Sequence, residues 1–361
     1  MGVRRATVEA VEIDRSFWSG KRVFLTGHTG FKGSWLALWL SSMGAEVTGY
    51  GRGAVRNPES LYELAHVAGE IETVEGDVRD ADAVAAAVTR SEAEVVLHLA
   101  AQPIVRRSYR DPAETFAVNV TGTVNVLDAV RAVGAARAIV VVTSDKCYEN
   151  RGLERGYRED EPLGGADPYS ASKACQELVS HAYRRSFGLP LATARAGNVI
   201  GGGDFAEDRL VPDAMRAAAA GEPVRVRNPD AVRPWQHVLC PLEGYLMLAE
   251  RLYADEGFDD AWNFGPADSD ALPVGAIVER LAELWPGDME VETARDPEAP
   301  AEARTLRLDS TRARERLGWR PPWELERALE EIVDWHAAHA GGADMRAKTL
   351  EQIEKYGARG G

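Results

Sequence analysis

The chain has 361 residues and carries 42 Lys and Arg against 57 Asp and Glu, which gives a formal net charge of −15. This acidic balance argues against nucleic acid or an anionic membrane surface as the main partner, and no apolar run is long enough for a transmembrane helix. Three cysteines and seven histidines without metal-ligand spacing predict a reduced, cytoplasmic protein with no metal site.

The first half of the chain alternates short β-branched runs with helical patterns, which is typical of βαβ units and a parallel sheet. Predicted strands lie at 22–26, 46–50, 71–75, 95–99, 138–143 and 191–196, and predicted helices at 34–43, 81–89, 115–133 and 170–187. Near-continuous apolar strands fit a sheet that is covered on both faces. We therefore expect an α/β fold with a doubly wound parallel sheet of the Rossmann type.

After about residue 196, glycine and proline punctuate shorter elements. We expect a first domain at 1–196, to which a segment at about 235–262 returns. A smaller, interleaved substrate domain is expected at 197–234 and 263–345, followed by a tail at 346–361. The sequence also predicts an exposed loop at 295–303 and a helix with a frayed end within 341–361.

A glycine-rich turn, GHTGFKG at 27–33, connects the first predicted strand to an amphipathic helix. Its glycines, Gly27, Gly30 and Gly33, permit a tight turn and a close backbone approach to a pyrophosphate, which the helix N-terminus also attracts. We predict that this turn, with Phe31 and Lys32, binds a dinucleotide; a mere packing turn is the alternative. His28 either touches the cofactor phosphate or faces solvent.

The acidic residue that usually binds the adenosine ribose is missing from its expected place. Arg52 stands there instead and would tolerate a 2′-phosphate, so charge alone favours NADP. Asp77 and Val78, after the third strand, are candidates for holding the adenine. Asp77 is equally well explained as the N-cap of the helix at 81–89.

Tyr169 and Lys173 lie at positions i and i+4, on one face of a predicted helix. A neighbouring ammonium and a positive nicotinamide ring would lower the pKa of the Tyr169 phenol, which could then take a proton from a sugar hydroxyl. Ser144 stands at the carboxyl end of a strand, where ligands of such sheets bind. Together with the glycine turn, this order of residues indicates a catalytic site rather than an ordinary surface helix.

These motifs resemble the extended short-chain dehydrogenase/reductase family over about residues 18–340, and within it the CDP-glucose 4,6-dehydratase subfamily. The narrower resemblance rests on GHTGFKG at 27–33, LHLAAQP at 97–103, TSDKCY at 143–148, ARAGNVIGGGD at 194–204 and RPWQHV at 233–238. It implies NAD rather than NADP, CDP-glucose as substrate, and a homodimer or homotetramer. Other nucleotide-sugar dehydratases, a 4-epimerase, or a non-catalytic NAD(P)-sensing protein are the alternatives.

The resemblance also implies a role for each catalytic residue. Tyr169 would be the base at C4, with Lys173 holding the nicotinamide ribose and Ser144 hydrogen-bonding O4. Asp145 would protonate the leaving C6 hydroxyl. Lys146 stands where related dTDP-sugar dehydratases carry Glu; it would be the C5 base or stabilise the enolate, and Glu149 is a competing base.

Further contacts are expected around this centre. Leu99, Ala100 and Ala101 end the fourth strand and would let the backbone approach the cofactor diphosphate. The predicted substrate contacts are Gln102, Ser144, Asn198, Arg209, Arg225, Arg233 and Arg304, since arginine offers two-point contacts to phosphate oxygens. A solvated strand with charged ends also explains the arginines, and Asn119 is at least as well explained as a buried structural residue.

Overall fold

The computed structural model describes residues 12–53, 59–254, 257–293 and 306–358. Its strands are β1 Arg22–Thr26, β2 Glu46–Gly51, β3 Glu72–Glu75, β4 Val95–His98, β5 Ala138–Val142, β6 Leu191–Arg195, β7 Val199–Ile200, β8 Val224–Val226, β9 Val232–Pro234, β10 Gln236–His237, β11 Ala261–Asn263, β12 Ala271–Pro273 and β13 Val291–Thr293. Its α-helices are α1 Arg15–Trp18, α2 Phe31–Ser42, α3 Leu61–Leu64, α4 Ala81–Ser91, α5 Val105–Arg110, α6 Pro112–Phe116, α7 Gly122–Val133, α8 Pro168–Phe187, α9 Leu210–Ala220, α10 Leu239–Tyr253, α11 Val274–Leu284, α12 Leu325–Ala340 and α13 Met345–Gly357.

The centre of the fold is a seven-stranded parallel sheet in the order β3-β2-β1-β4-β5-β6-β11. Helices α4 and α7 cover one face of the sheet and α2 and α10 the other, and a buried apolar cluster fills each interface. The strand order reverses between β1 and β4, and ligands of such sheets bind at that point, outside the carboxyl ends. The predicted doubly wound Rossmann fold is confirmed.

Helix boundaries follow from local capping chemistry. The Asp167 carboxylate accepts a hydrogen bond from the Ser170 amide, Pro168 occupies the first turn of α8, and Gly188 ends it in the left-handed conformation. Asp80 caps α4 by accepting from the Ala83 amide at 3.0 Å. The N-cap of α4 is therefore Asp80, and the capping explanation of Asp77 is wrong.

The predicted elements and the observed ones differ in instructive places. The six predicted strands are present with ends within one residue of their predicted bounds. The predicted helix at 115–133 lies within a longer rod formed by α6, a π-helical turn at Ala117–Thr121 and α7. The seventh strand, β11, has three residues and pairs with β6 through Ala261 and Thr193, which is too short a run to be recognised from its pattern.

The second half of the chain builds a smaller region beside the sheet's carboxyl edge. It contains the strand pairs β7–β10, β8–β13 and β9–β12 and an apolar core shared by α9, α11 and α12. The chain returns to the main sheet through α10 and β11. The domain bounds at 196, 235 and 262 stay a prediction, and the predicted loop at 295–303 lies outside the described residues.

The part of the predicted tail that the structure describes, up to residue 358, is mostly a packed helix. In α13, Met345, Ile353 and Tyr356 are buried, and the Tyr356 ring meets Trp39 of α2 edge-on at a centroid distance of 5.7 Å. This helix therefore completes the cover over the first helix of the sheet domain. Within the described part of the chain, no helix combines the length and apolarity that crossing a membrane requires.

Candidate active site

A cleft of about 2290 Å³ opens where the strand order reverses. One wall consists of the glycine turn, the carboxyl ends of β4 and β5, and the start of α8. The facing wall comes from the segment after β6 and from α9, β8 and β9. The fold thus brings the predicted cofactor-binding and catalytic segments to one cavity.

The three glycines of the turn perform different tasks. Gly27 has φ +78°, and a Cβ there would lie 2.8 Å from the Ala100 amide nitrogen. A Cβ on Gly33 would lie 2.1 Å from the Gly27 carbonyl oxygen. Gly30, by contrast, faces the cleft, and a Cβ there would meet only the Gly27 carbonyl oxygen, at 3.4 Å. The turn therefore packs tightly beneath and leaves an open cradle above, which fits a dinucleotide diphosphate.

The N-terminus of α2 borders the same cradle. Its N-cap is Gly30, which has no side chain to satisfy the first amides of the helix. Phe31, Lys32, Leu99, Ala100 and Ala101 all line the cleft around it. Burial, together with the positive charge of Arg209, lowers the pKa of Lys32 to about 8.

His28 neither lines the cleft nor faces solvent, so the predicted contact with a cofactor phosphate and its alternative are both wrong. Its ring is fully buried and meets the Tyr62 ring edge-on at 5.5 Å. Gly49 makes room for it, since a Cβ there would lie 2.5 Å from the His28 Cγ. Burial lowers the pKa of His28 to about 4, so the ring is neutral at physiological pH.

The charged side chains predicted to hold the adenosine half of the cofactor form ion pairs with neighbouring residues. Arg52 pairs with Glu114 at 3.4 Å, and Asp77 pairs with Arg79 at 2.6 Å. The hydrogen bond from Arg79 holds the pKa of Asp77 below its ordinary value. Val78 lies beside them in the cleft wall. A 2′-phosphate at this position would therefore compete with Glu114 for the Arg52 guanidinium.

Three catalytic candidates meet at the end of β5. Ser144 donates a hydrogen bond to the Asp145 carboxylate at 2.9 Å and accepts one from the Lys146 amide at 3.2 Å, which fixes the 3₁₀ turn Asp145–Cys147. Tyr169, from the first turn of α8, lies near enough for Ser144 to act on its phenol and lower its pKa. Ser144, Asp145 and Tyr169 are all buried and line the cleft.

Lys173 lies one turn further along α8 and is almost fully buried. Its ammonium donates to the Gln176 side chain at 2.7 Å and to the Val142 carbonyl at 3.4 Å. Burial lowers the pKa of Lys173 to about 7, and the positive charge of Lys32 contributes in the same direction.

The expected lowering of the Tyr169 pKa is not observed. Burial raises the pKa of Tyr169 to about 12, and the hydrogen bond with Ser144 offsets only part of that rise. The Lys173 ammonium lies 6.0 Å from the centroid of the Tyr169 ring and is directed towards Gln176. In this arrangement burial of the phenol outweighs the neighbouring positive charge.

Beneath the Ser144–Asp145 turn lies a buried ion pair that the motif analysis does not identify. Glu177 accepts hydrogen bonds from Thr143 at 2.5 Å, Thr193 at 2.7 Å and Arg195 at 2.8 Å. Arg195 also donates to the Tyr148 hydroxyl at 2.6 Å. The available signal was an acidic residue at i+4 from Lys173 and an arginine inside an otherwise apolar strand.

The two candidates for the C5 base differ in position. Lys146 is half-buried in the cleft wall next to Asp145. Glu149 also lines the cleft, but it is exposed and its carboxylate forms an ion pair with Arg151.

Gln102 does not reach the cleft, and the predicted substrate contact is wrong. Its side chain is buried, accepts from the Ile104 amide at 2.7 Å, and donates to Thr115 at 3.0 Å. Asn119 is buried and has a structural role, as the alternative explanation predicts. Its side chain accepts a hydrogen bond from the Gln102 amide at 2.8 Å and donates one to Ser172 at 2.8 Å. Both amides fix the chain after β4.

The facing wall carries most of the predicted substrate residues. Asn198 lines the cleft with a left-handed backbone, φ +44°, and Arg209 lies there paired with Asp204 at 3.0 Å. Arg233 also lines the cleft, whereas Arg225 lies at its rim, largely exposed and 3.7 Å from Glu292. Arg304 lies outside the described residues.

One charged group at the rim is not identified by the sequence patterns. Asp208, which has φ +60°, lies within ion-pair distance of Arg106 at 3.4 Å, Arg227 at 3.5 Å and Arg110 at 3.7 Å. These arginines come from both walls, so Asp208 bridges the mouth of the cleft.

Comparison with known proteins agrees with this geometry. Residues 24–332 match the family model described as GDP-mannose 4,6 dehydratase. The chain is 49% identical to a CDP-glucose 4,6-dehydratase of Salmonella typhimurium, over 95% of this chain and 98% of that protein. It is 28% identical to a dTDP-glucose 4,6-dehydratase of Xanthomonas campestris, over 92% and 98% of the two chains.

A solved structure has the same fold. The dTDP-glucose 4,6-dehydratase DesIV of Streptomyces venezuelae, crystallised with NAD and TYD, superposes with a TM-score of 0.76 at 24% identity and covers 90% of this chain and 99% of its own. The chain therefore belongs to the GDP-mannose 4,6-dehydratase family, within the extended short-chain dehydrogenases/reductases that its motifs predict.

Proposed function

We propose that the chain is an NAD-dependent CDP-glucose 4,6-dehydratase, a hydro-lyase that converts CDP-glucose to CDP-4-dehydro-6-deoxyglucose and water. The observation that carries this proposal is the meeting of Ser144, Asp145 and Tyr169 in one buried wall of the cleft. A 4-epimerase needs the serine and the tyrosine but has no use for the acid. The 49% identity with the Salmonella enzyme supports the same activity.

The cleft wall that contains the glycine turn fits NAD as the cofactor. Gly27, Gly30 and the start of α2 would hold its diphosphate, Val78 and Asp77 its adenosine half, and Lys173 its nicotinamide ribose. The engagement of Arg52 by Glu114 supports NAD over NADP. When bound, NAD accepts hydride from C4 of the sugar and returns it to C6.

At C4, Tyr169 takes the proton of the O4 hydroxyl while Ser144 holds that oxygen. The phenol must lose its own proton first, and its high pKa in this buried wall opposes that loss. Added positive charge therefore has to lower it, and the nicotinamide ring of NAD would supply that charge near the phenol.

At C6, the Asp145 carboxyl group donates its proton to the hydroxyl, which leaves as water. The hydrogen bond from Ser144 and the fixed 3₁₀ turn hold this group beside the C4 base. Removal of the C5 proton precedes the departure. We assign that step to Lys146 rather than Glu149, because the Glu149 carboxylate is held by Arg151 at the surface.

Exchange of the C5 hydrogen with deuterated solvent tests the assignment of Lys146. Lys146→Met is expected to slow C5 exchange by about 100-fold or more, the usual contribution of a positioned base, while Glu149→Gln retains most of it. The opposite result, with exchange lost only in Glu149→Gln, makes Glu149 the base.

The facing wall supplies the substrate contacts. Arg209, Arg225 and Arg233 would bind the diphosphate through charge-assisted hydrogen bonds, and Asn198 would bind the nucleotide sugar. Accordingly, residues 1–196 with 235–262 would form the cofactor domain, and 197–234 with 263–345 the nucleotide-sugar domain.

We further propose that the enzyme is a cytoplasmic homodimer or homotetramer. Phe116 in α6 and Leu178 in α8 are exposed by 37% and 59%, and these two helices pack side by side. Half-buried Val120, Val124 and Cys175 continue the apolar surface. A second copy of the chain, packing the same two helices against these, would cover it.

A panel of nucleotide sugars tests the proposed function. Purified protein with NAD is incubated separately with the CDP, UDP, dTDP and GDP sugars, and the mass of each product is measured by mass spectrometry. CDP-glucose is expected to lose one water, and Asp145→Asn serves as the matched control that should not support this loss. Conversion of UDP-glucose to UDP-galactose without loss of mass would identify an epimerase instead.

A further inference from the structure

The cleft wall behind Asp145, the proposed acid, contains a glycine, Gly197. A lack of space for a side chain, rather than the backbone conformation, requires glycine there. Gly197 follows β6 and lines the cleft. A Cβ at this position would lie 2.1 Å from Asp145 Oδ2, 2.3 Å from its Cγ and 2.8 Å from its Oδ1, and these are the three nearest atoms. The Asp145 carboxyl group therefore rests directly on the Cα of Gly197.

The backbone at Gly197 does not itself demand glycine. Gly27 has φ +78° and is restricted by its conformation, but Gly197 is not among the residues with positive φ. An alanine can adopt this backbone, so the space taken by the Asp145 side chain is what excludes it.

Asp145 cannot simply move aside. Its Oδ1 accepts the hydrogen bond from Ser144 at 2.9 Å, and its amide lies 3.4 Å from the Ala196 carbonyl. The side chain is short and only 3% exposed. A shift of the carboxyl group large enough to admit a methyl group, more than 1 Å on van der Waals grounds, breaks the bond to Ser144.

We propose that Gly197 is a positioning residue for the dehydration step: its missing side chain seats the Asp145 carboxyl group where it protonates the C6 hydroxyl. The proposal rests on the proposed function. Any side chain at this position displaces the acid, while Ser144, Tyr169 and Lys173 keep the contacts that serve C4. The glycine thus separates water loss from oxidation at C4.

The test compares Gly197→Ala with Gly69→Ala. A Cβ on Gly69 has no atom within 4 Å and its φ is not positive, so this control is expected to behave as wild type. Gly197→Ala is expected to lose water from CDP-glucose about 100-fold more slowly, as for loss of a general acid. Reduced nicotinamide should accumulate in this variant, as measured by absorbance. Its Kd for CDP, measured by calorimetry, should stay within about twofold of the wild-type value.

A double mutant separates positioning from a general structural defect. Adding Gly197→Ala to Asp145→Asn is expected to change the rate of water loss less than about threefold, because both substitutions disable one step. A further loss of tenfold or more would contradict the proposal. If Gly197→Ala does not fold, the double variant Gly197→Ala, Asp145→Ala should fold, because the contact between the new Cβ and the Asp145 carboxyl group is gone. Failure of that double variant to fold also contradicts the proposal.

The outcomes distinguish this proposal from the proposed function. Two outcomes overturn the role of Gly197 alone, provided that the wild-type protein converts CDP-glucose. Either Gly197→Ala has normal turnover, or it also fails to oxidise C4. Wild-type protein that removes no water from CDP-glucose overturns the proposed function, and the role of Gly197 with it.

Discussion

Tyr169 and Lys173 are buried side chains in the same wall whose pKa values lie about 5 units apart, at about 12 and about 7. Burial causes both shifts, because it disfavours the phenolate of one and the ammonium of the other. At neutral pH the phenol is therefore protonated, and the Lys173 ammonium loses its proton more readily than an exposed lysine. The C4 step that we propose for Tyr169 therefore requires added positive charge near the phenol.

Substitution of Tyr169 tests its role as the C4 base. Tyr169→Phe is expected to lower kcat by a factor of about 100 to 10,000, because the O4 proton has no acceptor, with little change in the Kd for CDP-glucose. Tyr183→Phe, on the same helix, is the control and should keep wild-type kcat. Turnover of Tyr169→Phe at the wild-type rate would remove this residue from the mechanism.

The buried ammonium of Lys173 predicts a pH dependence of stability. Between about pH 7 and 10.5 the unfolded chain holds the Lys173 proton and the folded chain does not, so the free energy of unfolding rises with pH. The slope from this residue is at most about 1.4 kcal/mol per pH unit and vanishes below pH 7, where both states are protonated.

Denaturant unfolding at several pH values measures this slope. Lys173→Met should reduce it, while the similar contribution of Lys32, whose pKa is lowered to about 8, remains. Equal slopes in the wild type and Lys173→Met would show that Lys173 is not buried as described.

The sequence predicts which residues lie at the cleft better than it predicts their orientation. Ser144, Asp145 and Tyr169 are predicted because strand ends and the helix repeat fix their positions. The ligand contacts predicted for His28 and Gln102 are wrong because each residue adjoins a cleft-lining segment but points away from the cleft. A sequence pattern does not specify which side of a tight turn a side chain takes. The packing of Gly197 against Asp145 joins segments 52 residues apart, which no local motif encodes.

At the scale of elements, the Glu177–Arg195 pair joins α8 to β6 directly under the Ser144–Asp145 turn, and both side chains are 4% exposed or less. Glu177 also accepts from Thr143 of the same turn and Thr193 of β6. A buried ion pair with this many partners fixes how the two elements lie, even where its net contribution to stability is small. The position of the catalytic turn depends on it.

Removal of one charge from this pair tests that dependence. Glu177→Gln leaves the Arg195 guanidinium buried without its counter-charge and is expected to cost about 3–5 kcal/mol of unfolding free energy. Glu330→Gln, which breaks an exposed pair with Arg327, should cost less than about 1 kcal/mol. Similar losses in the two variants, measured by chemical denaturation, would contradict the account.

Element prediction succeeds where apolar runs are long. Strands β4 and β5 are near-continuous apolar segments, so their pattern suffices, whereas β3, with the sequence ETVE, is largely exposed. The short strands β7 to β13 depend on their partners, since two or three residues carry no period. The π-helical turn at Ala117–Thr121 interrupts a helix pattern that otherwise continues across it, and composition gives no sign of it.

At the scale of the whole molecule, the cleft lies between a sheet domain and a region assembled from later segments. The chain must cross between them repeatedly, and this interleaving is predicted only in outline. The docking of α13 on α2 depends on Trp39 and Tyr356, more than 300 residues apart in sequence. The sequence predicts the helix, but its packing partner emerges only from the fold.

Assembly of copies is the prediction at this scale. Leu178→Glu places a charge in the exposed apolar surface of α8 and is expected to reduce the mass of the particle in solution by at least half, as measured by light scattering. Leu272→Glu changes a similar side chain of β12, 36% exposed and outside that surface, and should leave the mass unchanged. Unaltered assembly of Leu178→Glu would place the interface elsewhere.

The proposed reaction transfers hydride from C4 to C6 of the same sugar within one cleft. CDP-glucose carrying deuterium at C4 tests this transfer, with the product analysed by mass spectrometry and NMR. The expected product has lost water and carries the deuterium at C6. Deuterium that stays at C4, or a product without deuterium at C6, would contradict it.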